Sequence, residues 1–402
     1  MKKIVFIKLG VMMFMQYMLF AVWWVALGTY LESGLNFNTY QVALIISSMA
    51  IGSIAAPLVG VIADRYISSE KLLAGLNLLL AAFLLLAVNQ TSFAGLMITV
   101  SLAMLCYMPS WSLTSSIAMT HISSEQFPRI RLLGSIGWVS AGIFSIVAIN
   151  IFNAPAFDGT ALPLYCGAGA AFLTAIFNMF LPKTPPTIDK STKYSIQDIF
   201  GLKVLTSLKN KNFNMFIFMS FLATIPFALF YSFGNIFLND KGFEYITVTM
   251  NWGQFAELFF LFITTSILIK YGIKKALLFG LSAMLVRYVS LYLGVGLDQQ
   301  WLYYFGILTH GLIFGLFFVA GQVYTDKAVP QEYKAQAQGL LSFVVWGIGI
   351  FIGNFVTGWM RDNFQINGQT NWSLLFLIAS VATLVLIVFF IMAFKDNSDS
   401  KN

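Results

Sequence analysis

Apolar stretches of roughly 20 residues, the length an α-helix needs to cross bilayer hydrocarbon, recur about twelve times along this chain. They fall near 5–30, 39–63, 71–89, 93–119, 130–152, 160–181, 213–238, 245–269, 274–295, 300–325, 334–360 and 372–394. Their number and length predict an all-α integral membrane protein with twelve transmembrane helices. Composition points the same way: of 402 residues, 58% are hydrophobic and only 10% are charged. A soluble chain carries about a quarter charged residues, so this one lacks the charge to cover a water-facing surface. The net charge of +7 is spread singly through short loops, a pattern that fits membrane topology and not phosphate binding, so no nucleic-acid partner is expected. The N-terminus opens like a signal peptide, but its apolar run is too long and has no A-x-A-like cleavage site, so it reads as the first retained span. Cys106 and Cys166 both fall in apolar stretches and imply no disulfide framework.

One long polar segment, from Pro182 to Asn212, separates the sixth span from the seventh. The expected organisation is therefore an N-terminal six-helix half over 1–182, a central loop over 183–212, and a C-terminal six-helix half over 213–402 that ends in a short tail. Lys2, Lys3, Arg65, Lys71, Arg129, the lysines of the central loop, Lys270, Lys274, Lys275, Lys327, Lys334, Lys395 and Lys401 fall on one side, against little more than Lys241 and Arg361 on the other. By the positive-inside rule both termini and the central loop face the cytoplasm.

Polar residues inside the spans carry the functional argument. Of 16 acidic residues, Glu257 alone falls deep within an apolar stretch. A carboxylate there costs on the order of 3 kcal/mol on insertion scales, so it must face protein or water. Asn251, Gln254 and Glu257 recur every third residue and share one arc of a helix. They read either as hydrogen-bonded glue between helices or as a proton or substrate site, and an ionisable group favours the second.

Other spans carry narrow polar and aromatic stripes at helical spacing: Gln16 with Trp23; Tyr107, Trp111 and Ser115; Arg131, Ser135 and Trp138; Phe227, Tyr231 and Asn235; His310, Phe314 and Phe317. Such stripes line a cavity where rings stack and amides or charges orient a polar ligand, or they simply pack. Arg131 either faces that cavity or snorkels to headgroups, and Ser135 and Trp138 on its face favour the cavity. His310 reads equally as a core histidine or a ligand group. Arg287, within the ninth span, either pairs or snorkels.

No G-x-x-x-x-G-K-[ST] loop and no His/Cys cluster at metal-ligand spacing occurs, so neither ATP hydrolysis nor a metal or other cofactor is expected, and nothing indicates an enzyme. Gly60-Val-Ile-Ala-Asp64-Arg65, between the second and third spans, resembles the G-x-x-x-D-[RK] signature of the major facilitator superfamily, though Tyr66-Ile67-Ser68-Ser69 replaces its usual basic continuation. The glycine permits close helix approach, and Asp64 with Arg65 can act as a conformational latch. Two six-helix halves joined by a cytoplasmic loop is that superfamily's layout.

Within it, the chain resembles the nucleoside:H+ symporters over most of its length. The likeness is clearest at Gln16-Tyr17 with Trp23 and Leu27-Gly28, at Tyr107-Met108-Pro109, at Phe127-Pro128-Arg129-Ile130-Arg131 with Gly134 and Ile136-Gly137, at Gln254-x-x-Glu257, and at Ala337-Gln338-Gly339. The resemblance implies central nucleoside binding with Arg131, Gln254 and Glu257 as polar contacts and Phe314 as an aromatic one. Ser135 and Trp138 keep the chemical type of a Thr and a Phe. Ala228 and Tyr231 stand where the pattern has Gln and Asn, His310 where it has Tyr, and Gly315 where some members have an acid.

The expected function is import of a nucleoside with a proton across the bacterial cytoplasmic membrane by alternating access. Substrate contacts would come from Gln16, Trp23, Arg131, Ser135, Trp138, Tyr231, Gln254, Glu257, His310 and Phe314, and the coupling proton would sit on Glu257 or His310. The bilayer is the surrounding partner and a monomer is expected to suffice. A transporter for a sugar or free nucleobase, and a non-transporting membrane receptor, are the rival readings.

Overall fold

A computed structural model describes residues 2–154, 157, 159–187, 205, 210–243 and 246–394. Lys190, Lys193, Lys203 and Lys209 of the central segment, Lys395 and Lys401 of the tail, and the side chains of Asn235 and Asn251 lie outside the described residues. Ten of the described helices are long and apolar enough to cross a membrane. One of them, Ile246–Leu297, turns at Gly272, where φ is 77° and ψ is 172°. A side chain would strain that conformation and glycine adopts it freely, so the element is two spans. With the shorter apolar helix Leu162–Asn178, these account for the twelve apolar segments expected.

In chain order, α1 is Lys2–Thr29, continued by a π-helical turn over Tyr30–Gly34. Next come α2 (Thr39–Ile46 and Ser48–Arg65), α3 (Ser69–Val88), α4 (Phe93–His121), α5 (Phe127–Ser140 and Gly142–Asn150) and α6 (Leu162–Asn178). The later spans are α7 (Lys211–Asp240), α8 (246–271), α9 (273–297), α10 (Gln300–Ala328, π-helical over Phe314–Val319), α11 (Lys334–Ser342, π-helical Phe343–Gly349, and Ile350–Asn363) and α12 (Trp372–Ala393). Side chains close two of the helix starts: the Ser92 hydroxyl accepts the Gly95 N–H at 3.2 Å for α4 and the Asn371 amide accepts the Leu374 N–H at 3.1 Å for α12. Before α12 a small hairpin pairs β1 (Gln365–Ile366) with β2 (Gln369–Thr370). Its two turn residues, Asn367 and Gly368, both have positive φ, as a type I′ turn requires.

The chain divides into two compact units, Met1–Leu208 with Val329–Gly347, and Lys209–Ala328 with Ile348–Asn402. In the first, α1 packs on α5 and α6, α3 on α4 and α6, and α2 on α4. The start of α11 also belongs here, seated on α2 and α4. In the second, α8 and α9 pack on α10, α9 on α12, and α7 on α12 and the later part of α11.

Candidate functional site

Each unit holds its own cluster of buried polar groups. In the first unit Arg131, on α5, is only 4% exposed, and its Nη1 donates to the Ser135 hydroxyl one turn on at 3.0 Å. Its guanidinium carbon lies 4.0 Å from the centre of the Tyr17 ring of α1, a cation–π contact. Arg131 therefore faces the interior of its unit and does not snorkel. Tyr17 is the partner sequence reasoning missed, although it stands beside Gln16 in the chain.

An aromatic cluster extends from the Tyr17 ring. Tyr17 meets Trp111 edge-on at 5.4 Å, Phe20 stacks on Tyr107 at 4.0 Å, and Trp111 stacks on Trp346 of α11 at 5.3 Å. Trp138, half-buried one turn beyond Ser135, sits edge-on to Phe20 at 5.7 Å.

Gln16 and Trp23 are placed differently. The Gln16 amide exchanges two hydrogen bonds with the Asn77 amide of α3, at 2.8 and 3.2 Å, and donates to the Ser110 hydroxyl of α4 at 2.6 Å. It is fully buried, and its side chain ties α1 to α3 and α4. Trp23 is also fully buried, against Gly167 of α6 and edge-on to Phe20 at 5.6 Å. Both serve the packing of the unit. Asn77 was the missed signal, a lone amide in the run Leu76-Asn77-Leu78-Leu79.

The latch residues lie at the end of α2. The Asp64 carboxylate accepts the Gln336 N–H at the start of α11 at 2.8 Å. Gly60, one turn earlier, permits this seat: a Cβ there would come within 2.8 Å of the Gln336 Cα. Arg65 is buried beside them.

In the second unit Glu257, on α8, is 3% exposed, and its Oε2 lies 3.6 Å from Nε2 of His310 on α10. The approach depends on Gly311, where a Cβ would overlap the Ala256 carbonyl and the Glu257 nitrogen. The sequence placed Glu257 and His310 as alternatives, and the fold makes them a pair. Rings frame it: Phe227 of α7 lies 5.3 Å from Tyr231, 6.4 Å from His310 and 4.7 Å from Phe318, while Phe314 lies 5.9 Å from His310. Gln254 stands one turn before Glu257 and is half-buried, whereas Tyr231 keeps 40% of its surface exposed.

A single family model, described as "Nucleoside H+ symporter", matches residues 3–399 of the chain. The chain belongs to the nucleoside H+ symporter family. The Escherichia coli K12 protein YegT is 34% identical over 98% of this chain and 94% of its own length. A crystal structure of a mutant of the nucleoside transporter NupG matches with a TM-score of 0.70 and 25% identity, covering 97% of this chain and 100% of that one. The proton:xylose symporter XylE, a major facilitator structure, matches with a TM-score of 0.73 over 98% of this chain and 97% of its own, but at 11% identity it speaks to the fold alone. As a nucleoside H+ symporter, this chain is a multi-pass membrane transporter of the major facilitator fold and not an enzyme.

Proposed function

We propose that this symporter carries a nucleoside and a proton inward across a bacterial cytoplasmic membrane, with Glu257 and His310 jointly holding the proton. The observation that carries this reading is the 3.6 Å pairing of a buried carboxylate with a half-buried imidazole inside the membrane-spanning helices. Two such groups titrate as a unit, taking up one proton at either the Glu257 oxygen or the His310 nitrogen. The surrounding rings supply stacking faces for a base: Tyr231, whose surface is accessible, and Phe314 beside His310. Gln254, on the same arc of α8, offers an amide to base or ribose.

Within the first unit, the candidate ligand groups are Arg131, Ser135 and Trp138. The guanidinium presents donors to ligand oxygens, and Tyr17 and Ser135 hold it in place. Gln16 and Trp23 act as packing braces of the same unit. Asp64, with Gly60 and Arg65, stabilises one conformation of the cycle by seating the start of α11. The Lys/Arg bias among the loops puts both termini in the cytoplasm, and one copy in the bilayer is sufficient for transport.

The test is uptake of labelled uridine into proteoliposomes under an inward-directed proton gradient, with competition by nucleosides, nucleobases and sugars. Accumulation that collapses with a protonophore and is displaced by nucleosides supports the reading. Displacement by sugars or free bases alone would overturn it.

A further inference from the structure

Arg287, on α9, is fully buried, and the proton-coupling scheme above makes no use of it. A guanidinium carries five N–H donors. Here only Nε is engaged, 3.3 Å from both the Gly306 carbonyl and the Thr309 hydroxyl. Nη1 and Nη2 find no hydrogen-bond partner among the described residues. Burying a charge so poorly satisfied is costly, and a leucine or methionine there would be the more stable choice. Stability therefore does not account for this arginine, and an ionisable group held inside a membrane bundle points to function.

Its surroundings say which. Thr309 immediately precedes His310, and Gly306 is one turn earlier, so Arg287 is tied to the turn of α10 that carries the histidine. The charges of Arg287 and His310 interact, and His310 contacts Glu257. From α7, the Phe230 ring lies 5.0 Å from the guanidinium carbon, one residue before Tyr231. The titratable groups around Arg287 and the pair are Tyr288 on its own helix, His310 on α10, Glu257 on α8 against His310, and Tyr231 on α7, whose charge interacts with that of Glu257. Tyr288 is committed to the Pro226 carbonyl, and α12 contains no ionisable side chain.

We propose that Arg287 is the fixed countercharge of the Glu257–His310 proton site and makes proton release possible. With Glu257 ionised and His310 neutral, the three groups sum to zero charge. Adding a proton, which forms only an O–H or N–H bond with the proton taken from water on one side, leaves a net positive charge in low dielectric. Losing it to water on the other side restores neutrality. Without Arg287 the order inverts: the protonated site is the neutral one, and a buried carboxyl holds its proton. Arg287 is thus a positioning residue that sets the affinity of the pair for the proton without touching substrate.

The proposal rests on Glu257 and His310 as the proton carriers. Its test compares Arg287→Met and Arg287→Lys in proteoliposomes by gradient-driven accumulation, by nucleoside exchange without a gradient, and by the pH profile of uptake. Arg287→Met should lose accumulation at least about tenfold relative to exchange and move the uptake midpoint upward by roughly one pH unit or more. Arg287→Lys, which keeps the charge, should retain the wild-type midpoint. A wild-type midpoint with full accumulation in Arg287→Met, or the same loss in Arg287→Lys, overturns the proposal. If Arg287→Met does not fold, the charge-balanced double variant Arg287→Met/Glu257→Gln decides. Monodisperse protein recovered in the double variant supports pairing of the charges, and failure to recover it overturns the idea. The underlying reading fails separately, by full accumulation in Glu257→Gln alone.

Discussion

Replacing Gln16 with Leu should destabilise the N-terminal unit without altering nucleoside recognition directly. The Gln16 amide makes three side-chain hydrogen bonds, two with Asn77 and one with Ser110. Interhelical hydrogen bonds inside membranes average about 0.6 kcal/mol each, so the bonds alone are worth about 2 kcal/mol. The substitution also leaves the Asn77 amide buried and unmatched, because Asn77 is itself fully buried on α3, which adds about 1 kcal/mol or more. Gln16→Leu should therefore cost about 3 kcal/mol. Asn77→Leu should cost somewhat less, about 2 kcal/mol, since it removes two of the three bonds and leaves Gln16 its bond to Ser110. Removing both partners leaves an apolar contact with nothing stranded, so the double variant should regain much of the loss. The coupling between the two sites is expected to be about 2 kcal/mol. Thermal unfolding of the purified protein in detergent, followed by loss of the monodisperse peak, measures all four corners of the cycle. Additive single effects, with coupling below about 0.5 kcal/mol, would refute the bracing role. So would a loss of nucleoside affinity in folded Gln16→Leu protein.

Glu257→Gln keeps size and hydrogen bonding but cannot ionise, so proteoliposomes bearing it should bind and exchange nucleoside without accumulating it; wild-type accumulation would remove Glu257 from coupling. His310→Gln, in the same assay, should impair accumulation because the proton is shared across the 3.6 Å contact, and an unaffected variant would leave Glu257 as sole carrier. Arg131→Ala should weaken nucleoside binding by roughly tenfold to a hundredfold, the worth of one or two hydrogen bonds to a charged group. Arg131→Lys should rescue poorly because it lacks the planar fork that rests on Tyr17, and unchanged affinity by calorimetry would exclude Arg131 from the ligand. Asp64→Asn keeps an acceptor for the Gln336 N–H but loses the charge, about 1 kcal/mol. It should slow transport about fivefold while leaving the binding constant intact, and an equal loss of both would contradict a latch.

Span number and class were legible in the sequence because they follow from a local rule. A backbone in hydrocarbon must satisfy its own hydrogen bonds, so run length alone identifies helices. The break between α8 and α9 was legible for the same local reason, as the gap between the apolar runs 245–269 and 274–295, and the structure turns there at Gly272. Glu257 was also visible by itself, as a carboxylate where hydrocarbon admits none without a partner. What a lone polar residue could not disclose was that partner. Gln16 meets residues 61 and 94 positions away, and Asp64 meets one 272 positions away. No helical periodicity connects such distances. For the same reason the polar stripes by themselves did not separate Arg131, held on Tyr17, from Gln16, spent on Asn77. Tertiary packing alone set Glu257 against His310, through the close approach that Gly311 allows between α8 and α10. It also left the two terminal nitrogens of Arg287 without a hydrogen-bond partner among the described residues, on a side chain tied to the turn that carries His310. The sequence could name the charges the membrane had to accommodate, but their pairing depended on which helices lie side by side.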